Sequence, residues 1–411
     1  MKRKLSKVVG LMSFALLLSG CLNNLDGQDQ EVELGPDEVV VQTTANQLSN
    51  EYYRSVILAN RYQLSASASA DNSLSSAGNI FAFEEGLLRI SQDIFPTDQY
   101  YMQEGQLIDG DTLTSWVSRE SEGNPEGLNP ALPVSGTQEE ATEEAESVAP
   151  SDDPAITDET EETTSESNQV IVDLDSTPIY LSQIMEKNIM VETDEGYALG
   201  GIVIGLAMNS VYQYTDEAGV VYEQEISLGE MRERGKAYAN IIVGRLRNTE
   251  QLRSVPIVVG IFRQAPDNEN AGGTYVLDGI SREGNYVTDW TERNEYRVSL
   301  PIINNSEVSD QYMFFDSFRS DVMNFFPHLN GISGEALYIE NGLASLDIEI
   351  VTQFYQLTEI TALTQHVTDV AQNRLPEGIG LEIKIISAAG TEAFVGRQPG
   401  ESQIKSHIFR Q

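Results

Sequence analysis

IVIGLAMNSVYQYT, residues 202–215, is apolar at nearly every position before it ends in Tyr-Gln-Tyr-Thr. A second stretch, LDIEIVTQFYQLT at 346–358, ends in the same Tyr-Gln-x-Thr pattern. Unbroken apolar character predicts a strand buried on both faces, whereas the alternation in the second stretch predicts a strand with one wetter face. These two strands are the centre of an internal repeat.

Matched landmarks surround both strands in the same order. An apolar helical segment runs from 83 to a stop at Phe95-Pro96, and another from 314 to a stop at Phe326-Pro327, because proline cannot continue a helix. The other landmark pairs are extended stretches at 99–108 and 336–341, helices at 228–247 and 358–373, strands at 257–262 and 381–386, and Gly-Thr steps at 273–274 and 390–391. Each copy therefore reads helix, strand, strand, helix, strand, strand.

This order predicts an α+β fold of two related repeats, each with helices packed on one face of a mixed β-sheet. We divide the chain into a signal peptide at 1–20, a flexible tether at 21–46, repeat 1 at 47–285 and repeat 2 at 286–411. Residues 130–168 are rich in Glu, Thr, Ser and Pro, so we expect a disordered acidic insertion within repeat 1.

The N-terminus carries a secretory signal. Four basic residues, Lys2, Arg3, Lys4 and Lys7, precede an apolar run of about a dozen residues that ends at Leu18. A membrane-spanning helix needs about 20 apolar residues, so this run is too short to span. Small residues stand directly before the only cysteine, in the order Leu18, Ser19, Gly20, Cys21. This pattern is typical of a lipobox, with cleavage between Gly20 and Cys21.

We therefore expect a covalent diacylglyceryl lipid on Cys21 and no other cofactor or metal. The expected partners are the membrane, through the lipid anchor, and the signal peptidase and lipid transferase that process the chain. The mature protein would be anchored on the extracytoplasmic face of the cell membrane. With a single cysteine, the chain cannot form an intramolecular disulfide, so its stability must come from packed cores.

The charge of the chain excludes one class of partner. The 411 residues carry a formal net charge of −39, and removing the signal leaves 21 Lys and Arg against 64 Asp and Glu, or −43. Such an excess of acid repels nucleic acid. We expect no nucleic-acid binding, and an acidic tether should hold the folded part away from an anionic membrane surface.

The chain offers little catalytic chemistry. It has three histidines, His328, His366 and His407, and lacks the common serine-hydrolase, zinc-protease and phosphate-loop motifs. His366 and Asp369 share a helix face, which is typical of a surface pair. The carboxylate pairs Glu84-Glu85 and Asp347-Glu349 are candidates for glycoside hydrolysis, but neither has convincing spacing. We predict no enzyme activity.

Two patterns leave binding open. Aromatic residues at 52–53, 100–101, 212–214 and 354–355 suit a carbohydrate or peptide groove, or simply strand packing. Asn209 and Ser210 interrupt an otherwise apolar strand, and buried polar groups need partners. This pair either lines a cleft between the copies or marks where the strand leaves the core.

FEEGLLRISQDIFPTDQY at 83–100, GLNP at 127–130 and GLAMNSVYQY at 205–214 resemble the CamS family of sex-pheromone lipoprotein precursors from Gram-positive bacteria. The likeness continues through ALTQHVTDVAQNR at 362–374 to SHIF at 406–409. It implies two α+β repeats in the mature protein. It also implies that the end of the excised signal is released as a peptide that induces conjugative plasmid transfer in enterococci.

Carried over to this chain, the candidate pheromone peptide is Ser13, Phe14, Ala15, Leu16, Leu17, Leu18, Ser19 and Gly20, or the same peptide from Phe14 onward. It departs from the Ala-Ile-Phe-Ile-Leu-Ala pattern of the best-known family peptide, which argues against recognition by the same receptor. The mature repeats are expected to bind an unidentified envelope or host ligand. The alternative is a solute-binding lipoprotein of a transport system.

Overall fold

The structure, a computed structural model, describes residues 41–58, 61–66, 74, 76–133, 177–194, 196–216, 218–269, 271–302, 309–325 and 331–409. The predicted signal peptide, Cys21 and most of the tether lie outside these residues. So do Phe326, Pro327, His328 and residues 134–168 of the predicted insertion. Within the described part, no helix is long and apolar enough to cross a membrane.

The first sheet has eight strands. In chain order these are β1 Val41–Thr43, β2 Arg54–Leu58, β3 Tyr100–Glu104, β4 Leu181–Thr193, β5 Gly196–Met208, β8 Ile257–Arg263, β9 Thr274–Ser281 and β10 Thr288–Glu292. They lie side by side in that order, with β2 parallel to β3 and β5 parallel to β8. A separate two-stranded sheet of β6 Val211–Thr215 and β7 Val221–Glu225 stands beside it. The sheet is therefore mixed, as predicted.

Three helices cover this sheet on both faces, which the sequence did not predict. Helix α1 Ala77–Gln92 packs on one face, where Phe83, Leu87 and Ile90 meet Val203 and Val258. Helices α2 Gly110–Val117 and α3 Leu228–Arg247 pack on the other face, against Ile202, Ile204, Leu206 and Ile261. The expectation of helices on one face is wrong here. β5 has apolar side chains on both faces, so each face of the sheet must be covered by helices.

Tyr275 of β9 lies at the centre of the α1 face. Its ring is fully buried between two glycines, Gly86 of α1 and Gly260 of β8. A Cβ added at Gly86 would lie 2.5 Å from the ring carbon Cδ2, and one at Gly260 would lie 2.6 Å from Cε1. The Tyr275 hydroxyl donates a hydrogen bond of 2.8 Å to the Phe83 carbonyl. The ring is thus held along both edges and at its tip.

The second sheet has six strands, β11 Glu295–Leu300, β12 Gly331–Ile339, β13 Gly342–Val351, β14 Gly380–Ser387, β15 Gly390–Arg397 and β16 Lys405–Ile408, in chain order. Only β13 and β14 are parallel. Helices α4 Met313–Phe325 and α5 Leu357–Arg374 both cover one face. Ile348 and Ile350 of β13 point to these helices, whereas Asp347 and Glu349 lie on the other face. The predictions of one helical face and one wetter face are confirmed for this sheet.

From β3 and from β11 onward, the two sheets share an order of elements. Both run strand, helix, two antiparallel strands, a helix leading to a parallel strand, then two antiparallel strands, with β6 and β7 as an addition in the first. The helix that corresponds to α4 in this order is α2. The sequence landmark that paired α1 with α4 is wrong, because α1 lies on the face opposite α3 while α4 and α5 share a face.

The strand predicted at 202–215 is two strands. β5 ends at Met208, and β6 begins at Val211 in the separate hairpin. The two strands are separated at Asn209, which two hydrogen bonds hold in place. Its side-chain amide donates to the Ile179 carbonyl at 2.8 Å, and its backbone N–H donates to the Tyr180 carbonyl at 2.8 Å. Likewise, the strand predicted at 346–358 ends at Val351, where Thr352 follows.

A row of ion pairs joins the two sheets. Glu85 and Arg89 on α1 and Asp93, which caps its C-terminus, stand four residues apart. They pair with Arg297 and Glu295 on β11 and with Arg293, two residues before that strand. Each contact between nitrogen and oxygen is 2.7 Å. Helix and strand spacings match because one helical turn and two strand residues both advance about 6 Å. We call these six residues the charge ladder. The last strand of the first sheet, β10, ends at Glu292, and the first strand of the second sheet, β11, begins at Glu295. The predicted domain boundary between residues 285 and 286 stays a prediction.

Candidate functional site

A cleft of about 640 Å³ opens at the carboxyl ends of β5 and β8. Parallel neighbours end at the same edge of a sheet, and ligands of α/β proteins bind at such edges. The residue after β5 is Asn209, and the residue after β8 is Gln264. The start of β4, helix α2 and the hairpin of β6 and β7 form the walls. All described lining residues belong to the first half of the fold, so Asn209 and Ser210 line a cleft that does not lie between the sheets.

Polar side chains in this cleft form a hydrogen-bonded cluster. Gln264 Nε2 donates to Ser182 Oγ at 2.5 Å and to Asn209 Oδ1 at 2.9 Å. Ser182 Oγ donates to the Ala207 carbonyl at 3.0 Å. The side chains come from three different strand ends, so the sheet fixes their positions. We call this lined space the amide cleft, defined by Ser182, Gln183, Asn209, Ser210, Tyr212 and Gln264.

Gln183 is the lining residue that lacks a partner. Its Oε1 is buried and accepts no hydrogen bond from the residues that the structure describes. A buried acceptor without a donor costs free energy, on the order of 1–3 kcal/mol. Eight other buried side-chain atoms in the described part of the chain also lack a partner, and an ordered water or a bound ligand that donates a hydrogen bond would recover this cost.

The rim of the amide cleft is aromatic. Tyr212 on β6 stacks against Tyr214, with ring centroids 6.1 Å apart, and Tyr214 stacks against Tyr222 on β7 at 5.3 Å. The Tyr212 hydroxyl accepts a hydrogen bond of 3.1 Å from Arg119 Nη2. Of the aromatic clusters that suggested a groove, the one at 212–214 lies at the cleft. Leu113, Val117 and Ile184 complete an apolar wall.

The charges at the amide cleft are negative. Among the described residues that line it, Asp267 and Glu223 carry carboxylates, both exposed at the mouth, and none is a lysine, arginine or histidine. The base of the cleft is neutral, since it is formed by amides, hydroxyls and aliphatic groups. An anionic ligand would find no counter-charge there.

The candidate carboxylate pairs do not come together around a substrate. Glu84 accepts from Lys187 at 2.6 Å, whereas Glu85 pairs with Arg297 on the second sheet. The two neighbours thus diverge, as expected for adjacent positions on a helix.

Asp347 lies in a second cavity, of about 700 Å³, on the polar face of the second sheet. It stands between Glu335 and Glu382 on the neighbouring strands, in register with both. Burial and the charges of Glu382 and Glu85 raise the pKa of Asp347 from its ordinary 3.8 to about 7, against the effect of Arg297. Glu349 lines the same cavity and is exposed. Because this site groups like charges, we assign it no reaction.

The described histidines occupy structural positions. The His366 ring stacks on Phe325 with centroids 4.0 Å apart, and its Nε2 lies 3.2 Å from the Asp321 carbonyl oxygen. His407 lies on β16, with its ring against Phe409. In the described part of the chain, no group of three or more His, Cys, Asp or Glu residues is placed to hold a metal ion.

The site residues that the sequence predicts at the N-terminus, from Ser13 to Cys21, lie outside the described residues. Conversely, the sequence alone did not reveal Gln183 and Gln264. The one available signal was the polar interruption at Asn209, which marks the end of β5 and therefore the edge where the amide cleft opens.

The fold is that of a mixed α/β protein with two principal sheets and a cleft at the carboxyl ends of two parallel strands. The family model described as CamS sex pheromone cAM373 precursor matches residues 62–151 and 154–403. The match covers most of the chain, and the chain belongs to the CamS family. The resemblance noted in the sequence is confirmed.

Solved structures agree. A crystal structure of a sex pheromone precursor from Lactobacillus salivarius subsp. salivarius UCC118 is 31% identical, with a TM-score of 0.73 over 90% of this chain and 100% of that chain. The C-terminal domain of the sex pheromone staph-cAM373 precursor from Staphylococcus aureus is 23% identical, with a TM-score of 0.62 over 83% of this chain and 99% of that chain. The second likeness is one of fold alone. The comparison with curated proteins gives no match.

Proposed function

We propose that this chain is a surface lipoprotein precursor with two products. A lipid transferase adds diacylglycerol to Cys21, signal peptidase cuts between Gly20 and Cys21, and the mature protein remains on the extracytoplasmic face of the membrane. The excised signal is trimmed to a short apolar peptide, from Ser13 or Phe14 to Gly20. The observation that carries the proposal is a lipobox at Leu18 to Cys21 in a chain of the CamS family.

Replacing Cys21 by alanine is expected to abolish membrane attachment. Two acyl chains anchor stably, whereas a polypeptide with a net charge near −43 has no basic patch to hold it. Fractionation of cells should move at least nine-tenths of the protein from the membrane to the medium or to an unprocessed precursor. Ser19→Ala, which keeps a small residue before the cysteine, is the matched control and should stay attached. Membrane retention of Cys21→Ala would overturn the anchor.

The peptide product has its own test. Synthetic peptides from Ser13 to Gly20 and from Phe14 to Gly20 are expected to induce conjugative plasmid transfer in a responsive enterococcal strain at nanomolar dose. A scrambled peptide of the same composition is the control. Absence of induction by both peptides at that dose contradicts the pheromone role and leaves the anchor test unaffected.

We further propose that the mature part is a non-catalytic binding protein built from two related α+β units, and that it binds its ligand in the amide cleft. Support for the relationship comes from the shared order of elements after β3 and β11. Support for binding comes from the preformed cleft with an unpaired buried acceptor at Gln183. Delivery of the ligand to a transport system is the second candidate function, since a cleft of this size is typical of small-molecule sites.

A further inference from the structure

We propose that the ligand of the amide cleft is a neutral carbohydrate, a sugar or short oligosaccharide recognised through its hydroxyl groups. This inference rests on the binding role proposed above and adds the chemical class of the ligand. Four observations carry it: an unpaired acceptor, a fixed set of amides, an aromatic rim and the distribution of charge.

The unpaired acceptor requires a donor from the ligand. Gln183 Oε1 is buried and lacks a hydrogen-bond partner in the described part of the chain. Gln183 lines the cleft, and a rotation of its side chain would bring this oxygen to a ligand hydroxyl, which would relieve the cost of burying it unpaired. A purely apolar ligand would leave the oxygen unpaired and is therefore disfavoured.

The fixed amides favour groups that both donate and accept. Gln264 is buried, and its amide orientation is set by its bonds to Ser182 and Asn209. Ser210, also buried, lies beside them. Neutral amides and hydroxyls offer donors and acceptors a few ångströms apart, and sugar hydroxyls can match either kind. Because these side chains are already held by the sheet, little ordering cost remains when the ligand binds.

The aromatic rim suits the apolar faces of a sugar ring. Tyr212 lines the cleft beside the aliphatic wall of Leu113, Val117 and Ile184. The stack of Tyr212 on Tyr214 and Arg119 behind its hydroxyl hold this ring in place. A rigid aromatic surface next to convergent polar groups is the usual composition of a small-molecule site with an orienting apolar side.

The charges select against the main alternatives. The described lining has no cationic side chain, and Arg119 behind the rim donates to Tyr212 and to the Pro130 and Thr177 carbonyls, so acidic sugars, phosphorylated ligands and the carboxylate of a free peptide would lack a direct counter-charge. The carboxylates of Asp267 and Glu223 are exposed at the mouth, and the base is neutral. A cationic ligand would meet these two carboxylates at the mouth but no counter-charge at the neutral base, which is why the test includes a polyamine. The cavity of about 640 Å³ falls within the usual range of small-molecule sites, about 300–1,000 Å³.

The test uses the full chain purified in detergent and a panel of probes measured by isothermal titration calorimetry. The panel contains neutral oligosaccharides of glucose, galactose and N-acetylglucosamine, a sialylated oligosaccharide, short neutral peptides and a polyamine. We expect at least one neutral oligosaccharide to bind and the sialylated one to fail. Gln183→Leu and Tyr212→Ala should each weaken that binding at least tenfold. Gln372→Leu, at an exposed glutamine on α5, is the matched control and should bind as the parent does.

The outcomes separate the two proposals. If a peptide or the polyamine binds instead and Gln183→Leu weakens it, the amide cleft is a binding site and the carbohydrate inference is wrong. If an oligosaccharide binds but neither variant changes its affinity, the amide cleft is not the site, and both proposals fall. If nothing in the panel binds, the carbohydrate inference is overturned. Circular dichroism of each variant confirms that a loss of binding is not a loss of fold.

Discussion

Gly86→Ala is expected to lower the melting temperature by about 6–12 °C, which corresponds to a loss of about 3 kcal/mol for a unit of this size. Alanine normally stabilises a helix relative to glycine by up to about 1 kcal/mol. Here the added methyl would lie 2.5 Å from the ring of Tyr275. The ring cannot move away because Gly260 lies against its opposite edge and its hydroxyl donates to the Phe83 carbonyl.

The control for this prediction lies on another helix. Gly244 of α3 has free space, since an added Cβ would find its nearest neighbour, the Asn285 carbonyl oxygen, at 3.8 Å. Gly244→Ala should therefore raise the melting temperature by a few degrees. The double variant Gly86→Ala with Tyr275→Leu should lose at least about 1 kcal/mol less stability than the two single losses added together, since the two residues share one contact. Equal stabilisation by both alanines would contradict the packing around Tyr275.

Arg297→Met is expected to destabilise the protein by about 2–3 kcal/mol, because it removes the buried cation shared by two partly exposed carboxylates. The Arg297 side chain is 4% exposed and bridges Glu85 on α1 and Glu335 on β12. It is thus the innermost cation of the charge ladder. The stability lost should come mainly from the contacts between the two sheets. Urea unfolding followed by two spectroscopic probes, one for each sheet, should therefore show two separate transitions. Arg374→Met, at an ion pair that is half exposed, should change stability by less than about 1 kcal/mol.

The effect of Arg297→Met should also depend on pH. Asp347 has a folded pKa of about 7 against an ordinary 3.8, so the folded state holds a proton that the unfolded state has released between these values. Stability from this group is therefore present below about pH 4 and is lost as pH rises towards 7. Without Arg297 the pKa of Asp347 rises further, and the destabilisation should be greater at pH 8 than at pH 5. A loss independent of pH would contradict the placement of Asp347 beside this cation.

Local signals explain the elements that the sequence predicted well. The α3 helix was predicted at 228–247 and is found at Leu228–Arg247. Its start is fixed by Ser227, whose hydroxyl accepts from the Glu230 N–H at 3.2 Å, and its last turn carries Arg245 and Arg247. Strands β8 and β14 were predicted because their apolar runs are short and bounded.

Strand β4 was not predicted, because its middle is polar. Glu186, Lys187 and Asn188 are all buried, which binary patterning does not anticipate. Their partners are distant in sequence. Lys187 pairs with Glu84 and Glu104, and Glu186 accepts from the backbone N–H groups of residues 106, 107 and 108. Burial raises the pKa of Glu186 to about 7, although these N–H donors oppose the shift.

The amide cleft and the charge ladder depend on contacts between distant segments, and for that reason sequence reasoning found only fragments of them. Asn209 was visible as a polar interruption, but Gln264 lies 55 residues away and reaches it only because β5 and β8 are parallel neighbours. The charge ladder is easier to recognise in the sequence. Alternating charges four apart at 85, 89 and 93 face alternating charges two apart at 293, 295 and 297. Complementary spacings of this kind offer a way to predict a helix packed against a strand.

The first described element, β1, is the outermost strand of the first sheet and pairs with β2 over only three residues. A pull on the N-terminal side of the protein would reach this pair first. Strands β2, β3 and β4 separate this edge from β5 and the cleft beyond it. A protein held by the N-terminal lipid proposed above would then take mechanical load first on one short edge strand, with three strands between it and the strand that leads to the amide cleft.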